Sequence, residues 1–219
     1  MLYQHNGGYL KLIIGPMFSS KSSTLLSEIN RLKYITDKIL VINSVLDKER
    51  HADMEINSQG LGIMKTHDNK TFPALMLNNL SELNGMGTNT NSFFQSKYNY
   101  ADIIIIDEAQ FYKDLYDFIN HELTFPHNNK MFIVAGLSSD FNMKPIGNII
   151  NLVPLADEIV KLSALCVYCK NGTPANFTKL IKSEHRDESN NESNNESNNV
   201  LVGAKDLYSP CCRKHFFMF

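Results

Sequence analysis

The chain has 219 residues, of which 43% are hydrophobic, and a formal net charge of −2. This length accommodates one substantial α/β domain with a small appendage, and the near-neutral charge excludes a role in coating nucleic acid, since it provides no long-range attraction for phosphate. The N-terminus lacks a signal-peptide pattern and no apolar run approaches the roughly 18 residues of a membrane span, so the sequence predicts a cytoplasmic protein without a membrane partner.

The first predicted elements are a strand and a helix joined by a short loop. An apolar run, Leu12 to Ile14, ends at Gly15-Pro16. Apolar side chains then recur at helical spacing, at Leu25, Ile29 and Leu32. The connecting loop reads GPMFSSKS, which has the length and ending of the phosphate-binding P-loop, GxxxxGK followed by Ser or Thr.

This P-loop pattern indicates ATP binding, because its backbone N–H groups surround the phosphates, its lysine reaches the terminal phosphates and its hydroxyl binds Mg²⁺. Lys21 and Ser22 provide the last two groups, whereas Ser20 replaces the second glycine and adds a Cβ that is expected to weaken binding without preventing it. The alternative is a chance Lys-Ser pair after a turn. The predicted ATP-binding residues are Gly15, Pro16, Met17, Phe18, Ser19, Ser20, Lys21 and Ser22.

Three further apolar runs predict buried parallel strands at Ile39 to Ile42, Ile103 to Ile106 and Met131 to Ala135. Leu115, Phe118 and Ile119 mark a helix between the last two. The polar segment from Arg50 to about Leu61 is predicted to be a loop that becomes ordered only with ligand or in an oligomer. Residues 187–199, DESNNESNNESNN, are predicted to be a disordered insertion because they contain no apolar side chain to bury.

Two carboxylates, Asp107 and Glu108, directly follow the predicted strand at Ile103 to Ile106. Ligands bind at the carboxyl ends of strands in open α/β sheets, so this is the expected place for an acidic residue that holds Mg²⁺. Asp107 is therefore predicted to bind Mg²⁺ together with Ser22, and Glu108 to accept a proton from an attacking hydroxyl. The alternative is that the pair caps the helix that begins near Asp114.

All four cysteines lie between Cys166 and Cys212, and in a reducing cytosol they are more often metal ligands or free thiols than disulfides. Cys166 and Cys169 are separated by two residues, as are Cys212 and His215, a spacing that suits a structural Cys₃His zinc site. Cys211 is an alternative ligand with a longer spacing to His215, and reduced cysteines without metal are a further alternative. A zinc ion here would close residues 170–211 into a loop that can fold over a substrate.

Several motifs together resemble the thymidine kinases of the cellular, poxvirus and bacterial type. They are GPMFSSKSS from Gly15, THD at residues 66–68, DEAQFY from Asp107, IINLVPLA from Ile149, VGA at residues 202–204 and the paired cysteines. They follow in the same order along nearly the whole chain. The resemblance implies an α/β fold with a P-loop (RecA-like) parallel sheet at residues 1–160, flanked by helices, and a zinc-binding subdomain with a substrate-clasping loop at residues 161–219.

The family implies transfer of the γ-phosphoryl group of Mg-ATP to the 5′-hydroxyl of thymidine, and of deoxyuridine, in nucleotide salvage. Glu108 matches the general base and Asp107 the Mg²⁺-associated acid, while the cysteine pattern selects Cys212 over Cys211. The resemblance also implies a structural zinc, a homotetramer and feedback inhibition by thymidine triphosphate. Positions that match the thymidine site are Met17, Phe111, Leu137, Phe141, Thr178 and Tyr208, with Val200, Leu201, Val202 and Gly203 in the clasping loop.

Some features leave other interpretations open. By burial preference alone, Phe111, Leu137 and Phe141 are ordinary core residues. Asp47 and Arg50 are separated by one residue more than in the family's Asp-x-Arg motif, so the role of that arginine is not carried over. A P-loop ATPase or nucleotide-switched binding module, and a non-catalytic relative, are the competing functions.

Overall fold

The structure is a computed structural model that describes residues 8–50, 56–65, 70–86, 91–125, 128–181 and 207–218. Within these ranges the main feature is a seven-stranded sheet in the order β3-β4-β2-β5-β6-β1-β7. All neighbouring strands in it are parallel except β3 and β4, which are antiparallel. The strands are β1 (Tyr9–Gly15), β2 (Ile39–Ser44), β3 (Leu61–Lys65), β4 (Thr71–Leu77), β5 (Ile103–Ile106), β6 (Met131–Leu137) and β7 (Glu158–Lys161).

The centre of the sheet is apolar on both faces. Strand β5 consists of four isoleucines, each at most 1% exposed, and it pairs with β2 on one side and β6 on the other. A parallel strand covered on both faces needs apolar side chains at every position rather than at alternate ones. The predicted strands β1, β2, β5 and β6 are therefore confirmed.

Helices cover both faces of the sheet. Helix α1 (Lys21–Leu32) packs on one face, against Ile13, Ile105 and Ile133. Helices α2 (Ser92–Tyr100) and α3 (Leu115–Thr124) pack on the other face, together with the 3₁₀ segment Ile149–Leu155. This arrangement confirms the predicted α/β class with a mostly parallel sheet and flanking helices.

The residues after β7 form smaller elements. Strand β8 (Ala164–Leu165) pairs with β9 (Pro174–Ala175), and β10 (Phe177–Leu180) pairs with β11 (Tyr208–Cys211). The short helix α4 (Arg213–Phe217) follows. An apolar cluster of Ala164, Cys166, Ala175 and Cys211 holds these pieces together.

The predicted loop between Arg50 and Leu61 is described only in part. A 3₁₀ segment, Val45–Arg50, precedes it, and a turn closed by a hydrogen bond from the Gly60 N–H to the Asn57 carbonyl leads into β3. The predicted insertion at residues 187–199 and the matching clasp residues 200–203 lie outside the described residues. Among the helices of the described part, none is both long and apolar enough to cross a membrane.

Candidate active site and metal centre

The loop after β1 and the acidic pair after β5 lie at the same edge of the sheet, because both strands end there. The Asp107 N–H donates to the Ile42 carbonyl of the neighbouring strand at 3.0 Å, which holds the acidic segment against β2. The Ser22 hydroxyl forms a side-chain hydrogen bond with Asp107. The structure thus brings together two residues that are 85 positions apart in the sequence and that the motifs assign to one Mg²⁺ site.

The loop from Gly15 to Ser22 folds back on itself around the Pro16 carbonyl. The Lys21 ammonium donates to this oxygen at 2.7 Å and the Ser19 hydroxyl at 2.8 Å. A Cβ on Gly15 would lie 2.7 Å from the Leu162 carbonyl oxygen, so only glycine fits at the start of the loop. Phe18 and Ser20 have φ angles of 65° and 62°, in the left-handed region that favours glycine.

Asp107 and its neighbours form a buried acidic centre. Burial, together with the charges of Glu108 and Asp47, raises the pKa of Asp107 to about 7, although the Ser22 hydroxyl and the Glu108 N–H oppose the shift. Asp47 is also buried and accepts a hydrogen bond from the Asn43 side chain at 2.9 Å. Carboxylates held this close repel one another, and a hydroxyl with carboxylate oxygens is a ligand set that suits Mg²⁺, so these residues fit the ion.

Gln110 connects the Glu108 carboxylate to the sheet. Its side-chain N–H donates to Glu108 Oε2 at 2.5 Å, and its side-chain oxygen accepts from the Leu137 N–H at 3.0 Å. Two glycines make room for it, since a Cβ on Gly136 would lie 2.5 Å from the Gln110 side-chain oxygen and one on Gly147 would lie 2.3 Å from its carbonyl oxygen. Sequence reasoning missed Gln110, and its place two residues after the acid was the available signal.

The acidic pair does not cap α3, so that alternative is wrong. Asp114 is the N-cap residue of α3, whereas Glu108 precedes a separate 3₁₀ turn, Ala109–Phe111. Glu108 has φ 50° and ψ 39°, a left-handed conformation in which its carboxylate meets Gln110. Such conformations are uncommon away from glycine and cluster at functional sites.

Four of the residues predicted to line the thymidine site come together in two pairs. The Met17 N–H donates to the Thr178 hydroxyl at 3.0 Å, and the rings of Phe141 and Tyr208 are 6.2 Å apart. Tyr208 lies directly opposite Leu180 on the neighbouring strand, and Leu180 is two residues after Thr178, which lies opposite Pro210. Because alternate residues of a strand point to the same side, Thr178 and Tyr208 lie on one face of the β10–β11 pair. The Leu137 N–H donates to the Gln110 side chain, and Phe111 is half-buried at the end of the 3₁₀ turn that follows Glu108.

The predicted zinc ligands Cys166, Cys169, Cys212 and His215 converge, with their ligand atoms all within 4.8 Å of one another. Cys169 Sγ lies 3.7 Å from Cys212 Sγ, and both sulfurs lie 3.3 Å from His215 Nδ1. Sulfurs at about 2.3 Å from a tetrahedral zinc would be about 3.8 Å apart, so the spacing fits this ion. The donor set is that of a structural site without an open position.

The environments of the thiols distinguish ligands from Cys211. Burial opposes ionisation of the Cys166 thiol, but backbone N–H groups of Cys212, Cys169 and Tyr168 lower its pKa to about 6, which favours the thiolate that metals bind. Cys211 is completely buried in the apolar cluster, and this burial raises its pKa to about 11. The geometry therefore groups Cys212, and not Cys211, with the other three ligands.

Known sequences resemble this chain over nearly its whole length. The sequence model described as thymidine kinase matches residues 8–216. The chain belongs to the thymidine kinase family. It is 35% identical to the thymidine kinase of Yaba monkey tumor virus over 96% of this chain and 95% of that protein. It is also 32% identical to thymidine kinase of vaccinia virus over 95% and 97% of the two chains, and to thymidine kinase a of Arabidopsis thaliana over 98% and 77%.

As a member of the thymidine kinase family, the chain is an enzyme that phosphorylates thymidine in nucleoside salvage. Family membership implies ATP and Mg²⁺ as the donor and its ion. It does not by itself assign roles to individual residues.

Ser20, in the loop between β1 and α1, gives a direct test of backbone strain in that loop. The Ser20 side chain is exposed and its backbone is in the left-handed region. Ser20→Gly therefore removes roughly 1–2 kcal/mol of backbone strain. The additional conformational entropy of glycine in the unfolded chain offsets about 0.5–1 kcal/mol of this gain. We expect the free energy of unfolding to rise by up to about 1 kcal/mol, with tighter Mg-ATP binding, measured by urea denaturation and calorimetry. Ser27→Gly, on the exposed face of α1, should instead destabilise. If Ser20→Gly is less stable than wild type, the inference that the Ser20 backbone is strained is wrong.

Proposed function

We propose that this kinase transfers the γ-phosphoryl group of Mg-ATP to the 5′-hydroxyl of thymidine, with Glu108 as the general base. The observation that carries the proposal is the Ser22–Asp107 hydrogen bond, which joins the phosphate loop to the acidic strand with Glu108 immediately beside it. Nucleotide phosphates and an activated hydroxyl can therefore meet at one edge of the sheet. In-line transfer between two substrates requires this arrangement.

In this proposal the loop from Gly15 to Ser22 is a P-loop in a RecA-like sheet. Its backbone N–H groups surround the phosphates, and the Lys21 ammonium leaves the Pro16 carbonyl to reach the terminal ones. Ser22 and Asp107 would hold Mg²⁺, which neutralises charge on the phosphate oxygens when bound. Asp47 lies close enough to affect Asp107 and adds negative charge to the same centre.

The acceptor binds on the other side of Glu108 in this proposal. Met17, Phe111, Leu137, Phe141, Thr178 and Tyr208 would line the thymidine pocket, and the segment from Val200 to Gly203 would close over the base. Support comes from the Met17–Thr178 hydrogen bond and from the neighbouring rings of Phe141 and Tyr208. The Glu108 carboxylate, oriented by Gln110, would accept the proton of the 5′-hydroxyl as the phosphoryl group transfers.

A zinc ion held by Cys166, Cys169, Cys212 and His215 would stabilise the C-terminal region by fixing the ends of the chain between residues 170 and 211. The resemblance further supports a homotetramer, inhibition by thymidine triphosphate and acceptance of deoxyuridine. Sedimentation velocity, inhibition kinetics and a second acceptor test these three properties separately.

The function is tested by incubating the purified chain with Mg-ATP and a panel of deoxynucleosides and measuring nucleoside monophosphate formation. Thymidine monophosphate should form in amounts equal to ADP. ATP turnover that does not respond to thymidine would instead support the ATPase or switch function. Absence of both nucleotide binding and turnover would support a non-catalytic relative.

We further propose that Gln110 positions the Glu108 carboxylate. Gln110→Met keeps the side-chain length but removes both hydrogen bonds of the Gln110 side chain, the one to Glu108 and the one from the Leu137 N–H. A misplaced base can cost up to about 10²-fold in rate. We expect kcat to fall by about 10- to 100-fold while the Kd for Mg-ATP stays unchanged. Because the residue acts through Glu108, adding Gln110→Met to a Glu108→Gln variant should lower kcat no further. A further drop in the double variant would assign Gln110 a separate role.

A further inference from the structure

The outer side of the phosphate loop rests on residues that follow β7. At its start, Gly15 packs so closely on the Leu162 carbonyl that a Cβ would lie 2.7 Å from it. Further on, the Met17 N–H donates to the hydroxyl of Thr178, which is 4% exposed on β10. The loop is therefore held from outside by the same C-terminal region that carries the cysteine and histidine cluster.

Phe18 makes the most direct connection to that cluster. It is half-buried and packs against the apolar group formed by Ala164, Cys166, Ala175 and Cys211. Cys166 is a member of this group, and Cys169 and Cys212 pack against it as well, so three of the four candidate metal ligands share one apolar cluster with Phe18. The aromatic ring of the phosphate loop thus packs against a cluster that also includes or borders metal-binding residues.

The backbone at Phe18 needs this support. Its φ of 65° is in the left-handed region, and Ser20, two residues later, has a φ of 62°. Residues with a side chain persist in this region only when their surroundings hold them there. The loop between β1 and α1 contains two such residues and no glycine after Gly15, so its conformation depends on external contacts more than that of a glycine-containing loop.

We propose that metal binding at Cys166, Cys169, Cys212 and His215 controls nucleotide affinity, with Phe18 as the positioning residue that connects the two sites. Bound metal holds the thiolates and the imidazole together, which keeps the apolar cluster compact around the Phe18 ring. That contact holds the left-handed turn and with it the phosphate-binding N–H groups. Loss of metal separates the ligands, releases the ring and lets the loop relax. The inference rests on the proposed role of the loop in binding ATP.

The test is a cycle of binding measurements with a fluorescent ATP analogue in excess Mg²⁺. Wild type and Phe18→Ala are each measured loaded with zinc, after metal analysis, and after zinc removal by 1,10-phenanthroline. Zinc removal should weaken binding by wild type about tenfold, within the usual range of coupling between sites. Phe18→Ala should weaken it similarly in the loaded form, and zinc removal should then have little further effect.

Three controls separate this coupling from general unfolding. Phe125→Ala removes an exposed phenylalanine at the end of α3 and should respond to zinc removal as wild type does. Phe18→Leu keeps an apolar contact and should bind the analogue better than Phe18→Ala in the zinc-loaded form. Far-UV circular dichroism of each sample checks that the large sheet remains folded.

The proposal is overturned if zinc removal leaves the affinity of wild type unchanged, or if the effects of zinc removal and Phe18→Ala simply add. It is also overturned if the purified chain binds no zinc, or if Phe18→Leu and Phe18→Ala bind equally. A zinc-loaded wild type that does not bind the analogue is a different result. That outcome rejects the nucleotide site itself and hence the proposed function.

Discussion

Glu108→Gln is expected to lower thymidine turnover by roughly two to four orders of magnitude, the usual contribution of a positioned general base. The substitution removes the proton-accepting oxygen but keeps the length of the side chain and its ability to accept a hydrogen bond from Gln110. Neither the Ser22–Asp107 hydrogen bond nor the Lys21–Pro16 hydrogen bond involves the Glu108 side chain. The loss should therefore appear in kcat, with Mg-ATP binding nearly intact.

Steady-state kinetics with thymidine, together with calorimetric titration of Mg-ATP, measure the two effects separately. Glu158→Gln is a suitable control because the Glu158 side chain is 44% exposed on the edge strand β7, where its carboxylate pairs with Lys11. This control should retain wild-type turnover. Wild-type turnover by Glu108→Gln would remove Glu108 as the base and leave the proton acceptor unassigned.

Lys21→Met should lower kcat/KM for ATP by about 10²- to 10³-fold, the magnitude expected when one charge-stabilising donor is lost. The Lys21 ammonium is buried within the loop, one residue before Ser22 and hydrogen-bonded to a loop carbonyl. In the proposed site it would exchange this carbonyl for a terminal phosphate of ATP. Methionine preserves the apolar part of the side chain, so the start of α1 should remain helical.

The measurement varies ATP at saturating thymidine, and thermal unfolding verifies that the variant is folded. Lys33→Met, which removes an exposed lysine just after the other end of α1, is the matched control and should leave kcat/KM unchanged. If both lysine variants lose the same fraction of kcat/KM, the loss follows from the change in net charge, and Lys21 does not act on the phosphates.

The strands and helices that could be predicted are those that carry a continuous run or a regularly spaced series of apolar side chains. The four isoleucines of β5 form a continuous apolar run, and Leu25, Ile29 and Leu32 of α1 recur at helical spacing. Both patterns are visible in the sequence because each position that is buried against the sheet requires an apolar side chain. Strands towards the two ends of the sheet carry a weaker pattern. Strand β4, next to the edge strand β3, contains Pro73, and the edge strand β7 has four residues of which three are exposed, so neither shows a readable period.

Helix α2 was missed for a related reason. Its sequence, SFFQSKYNY, is rich in aromatic residues that favour strands, and only Phe94 and Tyr98 are buried. Their burial against the sheet outweighs the weak local preference, and Asn91 caps the first turn by accepting from the Phe93 N–H. Tertiary packing therefore decided this element.

The sequence alone determined the residue types and spacings of the site, because a phosphate loop, an acidic strand end and paired metal ligands are each local patterns. It could not determine that Ser22 meets Asp107, that Gln110 holds Glu108, or that Asp47 is buried beside them. Those contacts depend on which strands are neighbours and where each strand ends, and long-range packing sets both. The same packing places Phe18 against the apolar cluster that contains Cys166 and Cys211, a contact that no spacing along the chain encodes.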